Sequence, residues 1–473
     1  MNEHELHFRT MTETPIPKLV TTLSIPTVIS MLVSAIYNTG DTYFVSKLGT
    51  SASAAVGVVF SLMALIQAVG FTVGTGASSL ISRALGEQRN DEATVCASSA
   101  LFLALILGTL LAAIGLAFID DLMKLLGATA TILPYAKAYT QYILYAAPVM
   151  SASFVLNNIL RAEGLARFAM VGITTGGLLN LVLDPLFIFT FNLGISGAAI
   201  ATAISQLVSF LILLSIFLRG KTIVKLIPKR VSSKISQYLN ILKTGAPSFC
   251  RQGIASVSNV VLNLSTAAYG DAAIAAMSIV LKICQFVFSI TIGLGQGYQP
   301  VVGYNYGAKR YARVRAAFLF TLKAMAGVLL ISAAISLAFA PTLIRFFIAD
   351  DAQVIDIGSR ALRYASAALP LIALGTMCNM TFQSIGRSLV ATLLASARQG
   401  IFFVPLILLL PQSLGLTGIL IAQPIADVLT LLVCIPFTIN FIREMTALAA
   451  AQAEEPPGTL PSELSEENVN FEV

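Results

Sequence analysis

IPTVISMLVSAIYNTGDTYFVSKLG, residues 25–49, carries a single charge, Asp41, before Lys47. About 20 consecutive apolar residues cross a bilayer as a helix, and this stretch approaches that length with one acid inside it. It lacks the period-two alternation that a strand of a membrane barrel needs, so it reads as a helix. Similar apolar runs recur along the chain. Of 473 residues, 56% are hydrophobic and 11% charged, and the mean hydropathy is +0.84. Soluble domains carry about 25% charged residues, so a surface this poor in charge excludes a soluble chain.

The runs, divided at turn signals, predict an all-α polytopic membrane protein with twelve transmembrane helices. They fall near 19–46, 52–82, 93–118, 133–159, 167–190, 196–218, 236–265, 272–303, 312–339, 357–383, 389–410 and 416–442. Residues 1–18 form an N-terminal cytoplasmic segment, 19–218 a first lobe, 219–235 a basic linker (RGKTIVKLIPKRVSSK over 219–234) and 236–443 a second lobe. Residues 444–473 hold seven glutamates, three prolines and no Lys or Arg, a composition that favours disorder. The polar start of the chain does not resemble a cleavable signal peptide. All five cysteines lie in apolar runs, which argues against a disulfide framework. His4 and His7, the only histidines, sit in the N-terminal segment and read as a solvated tail.

Charge sets the expected orientation. Arg83, Arg89, Arg161, Arg167, the linker cluster, Lys309, Arg310, Arg313, Arg315 and Arg387 flank one set of loops. Asp120, Asp121, Asp271, Asp350 and Asp351 flank the other. The bias places both termini in the cytoplasm, as expected for a multi-pass protein of a prokaryotic plasma membrane. The net charge of +6 is thus a topology signal, and nucleic-acid binding is not expected.

Shifted by about 221 residues, the chain matches itself, the mark of an internal repeat. Pro26 falls on Pro247, Asn38 on Asn259, Gly74 and Gly76 on Gly295 and Gly297, and Gly86 on Gly307. After one residue of slippage Pro148 meets Pro370, Asn157 meets Asn379 and Gly164 meets Gly386; then Gly194 and Gly197 meet Gly415 and Gly418. Each repeat has an even number of spans, so the two six-helix units enter the membrane in the same sense. Parallel repeats of this kind serve alternating access around a cavity between two bundles.

Three acids lie deep in spans: Asp41, Asp184 and Asp427. An acid at the bilayer centre costs about 2.5–3.5 kcal/mol and usually faces a cavity or a partner. Counting 1.5 Å per residue from the Gly49 and Gly194 turns puts Asp41, Asp184 and Thr202 within roughly one helical turn in depth. Asn180 precedes Asp184 by one turn on the same face, and Ala198 precedes Thr202 likewise. Pro185 has no N–H and leaves the Leu181 carbonyl without a partner inside its helix. Two carboxylates, an amide oxygen, a hydroxyl and free carbonyls suit a small hard cation such as Na⁺. Close carboxylates in low dielectric also resist double ionisation, so the same cluster could hold a proton instead. Structural alternatives are a helix-end site for Asp41, a kink cap for Asp184 and an ion pair for Asp427. The repeat does not duplicate the cluster: Asp41, Asn180, Asp184 and Thr202 fall on Leu262, Ile401, Pro405 and Gln423. The expected partners of Asp427, as a second polar network, are Arg251, Lys282 and Arg398.

The stretch at 25–49, ILRAEG (159–164), LNLVLDP (179–185), GISGAAIAT (194–202) and GLGQGYQPVVGYNYGAKR (293–310) resemble the multidrug and toxic compound extrusion (MATE) family in its DinF/MepA-like prokaryotic branch. The likeness covers nearly the whole chain outside the tails. It implies twelve helices in two lobes forming a V, and export of lipophilic organic cations against Na⁺ or H⁺. It implies an ion site at Asp41, Asn180, Asp184, Thr202 and the carbonyl of Ala198, with Tyr37, Asn38 and Asn157 as nearby polar lining. The chain departs from the NorM-like branch, whose acids lie in the second lobe. Expected partners are the bilayer and small organic cations, with no cofactor beyond the coupling ion, and the chain is expected to act as a monomer. The alternative is a flippase for lipid-linked precursors, which would line its cavity with cations; whether Arg251, Lys282 and Arg398 face the cavity or pair with Asp427 separates the two. An intramembrane aspartyl enzyme and a channel are further options, but extra oxygen ligands and a rocking repeat fit neither well.

Overall fold

Each long apolar run folds as a helix, because a backbone in hydrocarbon must satisfy its own hydrogen bonds. The structure is a computed structural model that describes residues 3–348 and 351–454. A short α1 (Glu3–Glu13) precedes the first repeat: α2 (Ile16–Ser46), α3 (Thr50–Gly86), α4 (Asn90–Ala117), the short α5 (Ile119–Leu125), α6 (Leu133–Ala162), α7 (Ala166–Pro185) and α8 (Gly194–Leu218). The second contains α9 (Ile235–Ala267), α10 (Asp271–Gly307), α11 (Tyr311–Arg345), α12 (Ala352–Ser384), α13 (Ser388–Ser396), α14 (Val404–Leu414) and α15 (Leu416–Glu454). Among the described residues, eleven helical stretches are long and apolar enough to cross a membrane, with α13 and α14 forming one of them. The twelfth span is α9, whose 33 residues include Lys243 and Arg251.

Among the described residues, two helices contain π-helical turns. After Pro185 the chain continues through Leu186–Thr190, and between α13 and α14 it passes through Ala397–Phe403. Such bulges concentrate at functional sites, because the extra residue re-aims side chains. Gly194 and Gly415 both adopt φ of +56°, so the duplicated turn is duplicated in backbone conformation as well.

The lobes meet around a pseudo-two-fold axis. Gly76 of α3 lies against Ile241 and Gly245 of α9, and its repeat mate Gly297 of α10 lies against Ser24 of α2. Gly86 packs on the Tyr304 carbonyl while its mate Gly307 packs on the Arg83 carbonyl. Small residues permit this backbone-to-backbone approach, which drives helix association in membranes. These contacts occupy the end of the bundle that carries both termini and the linker. Toward the other end the lobes separate as a V, and Phe60 of α3 is exposed on the wall of the space between them.

Several boundaries differ from the sequence reading. The N-terminal segment is not a solvated tail. Met11 is buried, its carbonyl accepts from Asn305 Nδ2 at 3.1 Å, and Arg313 donates to the Thr14 carbonyl at 2.6 Å. The His7 ring lies edge-on to Tyr304. At the other terminus α15 runs to Glu454, beyond Arg443, so residues 444–454 are helical; the rest of the expected disordered tail lies outside the described residues. The linker is tied down by buried Glu163, which accepts from the N–H groups of Ile223 (2.8 Å) and Val224 (3.3 Å).

Candidate functional site

In the first lobe, α7 and α8 place Asn180, Asp184 and Thr202 together, all buried. Asn180 Nδ2 donates to Asp184 Oδ1 at 3.1 Å and to Thr202 Oγ1 at 3.3 Å. Asp41, partly buried on α2, is reached from the third side. Tyr139 of α6 donates its hydroxyl to Asp41 Oδ2 at 3.4 Å. The Tyr139 side chain thus closes the Asp41 side of the cluster. Tyr139 is fully buried and was not singled out from the sequence, because a tyrosine in an apolar run looks like core. Ala198 lies on α8, one turn from Thr202, and is fully buried.

The cluster leaves acceptors over. Asp41 Oδ1, Asn180 Oδ1 and Asp184 Oδ2 are buried with no hydrogen-bond partner among the described residues. A buried polar atom without a partner costs about 1–3 kcal/mol, more when charged. Three such oxygens in one layer, from two helices, call for a positive guest. In the second lobe the repeat mate of Asp41 is apolar: Leu262 packs with Phe403, Ile407, Ile419, Ala422 and Ala426, while Gln423, the mate of Thr202, bonds to Asp427.

Between the lobes lies a cavity of about 560 Å³. Tyr37 and Asn38 of α2 and Asn157 of α6 are on its wall. So are Asn259 and Asn379, the repeat mates of Asn38 and Asn157. Asn157 and Asn379 make the same bond, Nδ2 to the carbonyl twelve residues on, at 2.9 Å (Ala169) and 2.7 Å (Ala391). The embedded acids, expected to face the cavity, are not on its wall; the charged side chains there are Arg161, Arg251 and Arg398. Arg161 was read from sequence as a loop charge, but α6 continues past it. It is 4% exposed and donates to Gln296 Oε1 at 2.5 Å and Asn158 Oδ1 at 2.8 Å.

The expected second polar network forms in part. The π-helical turn at 397–403 brings Arg398 Nε to Asp427 Oδ1 at 2.7 Å, and Gln423 donates to the same oxygen at 2.9 Å. Arg398 also stacks over Phe288 at 4.7 Å. Arg251 instead donates to Asn379 Oδ1 at 3.0 Å. Lys282 joins neither group; it is exposed on α10. The contrast between Arg251 and Arg398 answers the question posed from sequence: one faces the cavity without an acid, the other faces it while paired. Asp427→Ala should therefore lower thermal stability, by about 1.5–3 kcal/mol, because it leaves a half-buried guanidinium without its acid. Asp427→Asn should lower it less. Denaturation monitored by light scattering in detergent would check both, and wild-type stability for the alanine variant would deny the pair its structural role.

The MatE family description matches residues 26–186 and 247–409, two ranges that start at Pro26 and its repeat mate Pro247. The chain belongs to the MatE family. Among MatE relatives, multidrug export protein MepA of Staphylococcus haemolyticus is 28% identical over 416 residues, covering 88% of this chain and 91% of that protein. MepA of Staphylococcus aureus (strain NCTC 8325 / PS 47) is 27% identical over 428 residues, covering 90% and 94%. A solved structure described as the outward-facing conformation of a multidrug resistance MATE family transporter of the MOP superfamily superposes with a TM-score of 0.88. It is 29% identical and covers 95% of this chain and 99% of its own. This MatE chain is accordingly a multi-pass membrane transporter with the two-lobe fold.

Proposed function

We propose that the chain is a secondary antiporter that exports lipophilic, drug-like solutes in exchange for Na⁺ or H⁺ by alternating access. The carrying observation is the trio of unpartnered oxygens on Asp41, Asn180 and Asp184. The MepA relatives are named for multidrug export, which supports the efflux direction. The loop charges support a cytoplasmic position for both termini, and then the V opens outward.

The coupling route runs through α2. Tyr37 lines the cavity and Asp41 lies one turn further along the same face, so one helix borders both the solute and the ion site. Gly177 of α7 packs against Tyr37 and Val33, which ties that helix to the α7 cluster. A cation or proton bridging Asp41 to Asp184 would draw α2 toward α7 and reshape the cavity wall. A guest that binds one state better than the other shifts the equilibrium by that difference. Organic cations were expected as cargo from the family resemblance; among the described residues the cavity wall carries no acid, so its own side chains do not argue for a cationic cargo.

Reconstituted proteoliposomes with Na⁺ and H⁺ gradients imposed separately provide the test. Uphill movement of a lipophilic dye under one gradient, and its loss in Asp41→Asn, is the expected outcome. Flux that ignores both gradients would leave a channel or facilitator and end the antiport reading.

A further inference from the structure

We propose that the central cavity selects amphiphiles bearing an anionic group, an aromatic or aliphatic body with a carboxylate, sulfonate or phosphate. The proposal deepens the transport reading above and rests on it for the movement of cargo, though not for its binding. Among the described residues, the cavity wall carries three guanidinium groups and no carboxylate. Asp427 lines a smaller adjoining cavity that shares Arg398 and Phe288 with this one, and it neutralises Arg398, so the uncompensated charge comes from Arg161 and Arg251. Neither has an ion-pair partner among the described residues. Their partners are amide oxygens of Gln296, Asn158 and Asn379, which accept hydrogen bonds but cancel no charge.

The repeat shows that packing alone does not require these cations. Arg161 falls on Gln383, which fills the matching place at the lobe interface with a neutral amide. Gln383 Nε2 donates to the Thr244 carbonyl and Ser248 Oγ, both at 3.1 Å. Arg251 falls on Ser30, which closes a local bond to the Pro26 carbonyl at 2.9 Å. So one copy of each position is satisfied without charge, and the charged copy faces the cavity. Arg161 is buried and Arg251 half-buried, and charge withdrawn from water is costly unless a counter-charge arrives. A low-dielectric cleft lined by one sign concentrates ligands of the other and repels like charge. Phe60, Phe71, Phe154 and Phe288 supply the apolar wall for the ligand body. The volume lies within the roughly 300–1,000 Å³ usual for small-molecule sites.

The test uses the full chain in lipid nanodiscs with two dyes sharing a xanthene ring, anionic fluorescein and cationic rhodamine 6G, read by fluorescence anisotropy against empty nanodiscs. Fluorescein should bind more tightly than rhodamine 6G. Arg161→Gln, which copies the repeat mate, and Arg251→Gln should each weaken fluorescein by roughly ten- to a hundredfold, the range for losing a charged hydrogen bond. Rhodamine 6G binding should be unchanged or tighter. Arg161→Lys and Arg251→Lys should keep most of the fluorescein affinity, which separates charge from folding. Rhodamine 6G binding more tightly to the native chain, or fluorescein binding unaltered in both glutamine variants, would overturn the proposal. Displacement by naphthalene-2-sulfonate marks a soluble amphiphile as the cargo class, displacement by farnesyl phosphate alone marks a lipid phosphate, and displacement by neither overturns it. Gradient-driven rhodamine 6G efflux without fluorescein binding would sink this inference and leave antiport intact. Fluorescein binding without any gradient-driven flux would do the reverse.

Discussion

Asp184→Asn is expected to reduce gradient-driven efflux to the level of empty vesicles while leaving a folded protein. The substitution is isosteric, so α7 should keep its packing. The Asn180 amide can still donate to the remaining carbonyl oxygen at the position of Asp184 Oδ1. What disappears is the charge that a cation or proton would balance, together with one of three acceptors that have no other partner. Because the replacement is neutral, isosteric and keeps the bond from Asn180, it should not lower the stability of the fold. A ligand that binds only the folded state stabilises it by mass action. If Na⁺ is the guest, thermal unfolding of the native chain should therefore shift upward with Na⁺, and Asp184→Asn should lose the shift. If H⁺ is the guest, native transport should vary with pH and the residual flux of the variant should not. Wild-type uphill transport by Asp184→Asn would remove the site from the mechanism.

The legible part of this molecule was what backbone geometry imposes locally. Gly76 and Gly297, or Pro26 and Pro247, can be aligned by eye because close approach and kinks admit few residue types. Asn180, Asp184 and Thr202 were legible because polar atoms in a long apolar run are few and their depths can be counted from the turns. Tyr139 was not, since it supplies an apolar ring at the same positions as core residues. Arg161 was misread for a related reason. It stands near a helix end, where cations normally mark a loop, and its decisive contact with Gln296 is with a residue 135 positions away. Its repeat mate Gln383 carried the missing signal, because a polar residue conserved in place but not in charge between two copies points to a shared interface and a separate use. Lys282 shows the opposite error: an embedded-looking cation whose helix face turns outward. The docking of α1 had no local signature at all, for its partners Asn305 and Arg313 lie about 300 residues downstream. Similarly, the number of buried acids did not forecast the charge of the cavity, because only tertiary packing decides which side of a helix faces it.

Gly245→Val should drive the protein out of the conformation described here and stop turnover. A Cβ at this position would run into the Thr72 carbonyl and its methyl group, across the interface between α9 and α3. Overpacking against side chains costs about 1–3 kcal/mol, and here the obstacle is backbone that cannot swing aside. A penalty of that size changes a two-state ratio roughly 5- to 150-fold. Only the state in which the lobes touch at this end suffers, so the cost is differential and becomes a population shift instead of general unfolding. Gly297→Val should act in the same direction, since the repeat places its Cβ against the backbone of Ser24 on the other side of the axis. Spin labels at Thr50→Cys and Asp271→Cys, repeat mates at the starts of α3 and α10 in a chain stripped of native thiols, report on the opening between the lobes. Their separation should shorten in either variant as the open end closes, and efflux should fall at least tenfold because a cycle needs both states. An unchanged distance distribution with full transport would mean that the glycine contacts merely pack the lobes, and the moving surfaces of alternating access would have to be sought elsewhere in the bundle.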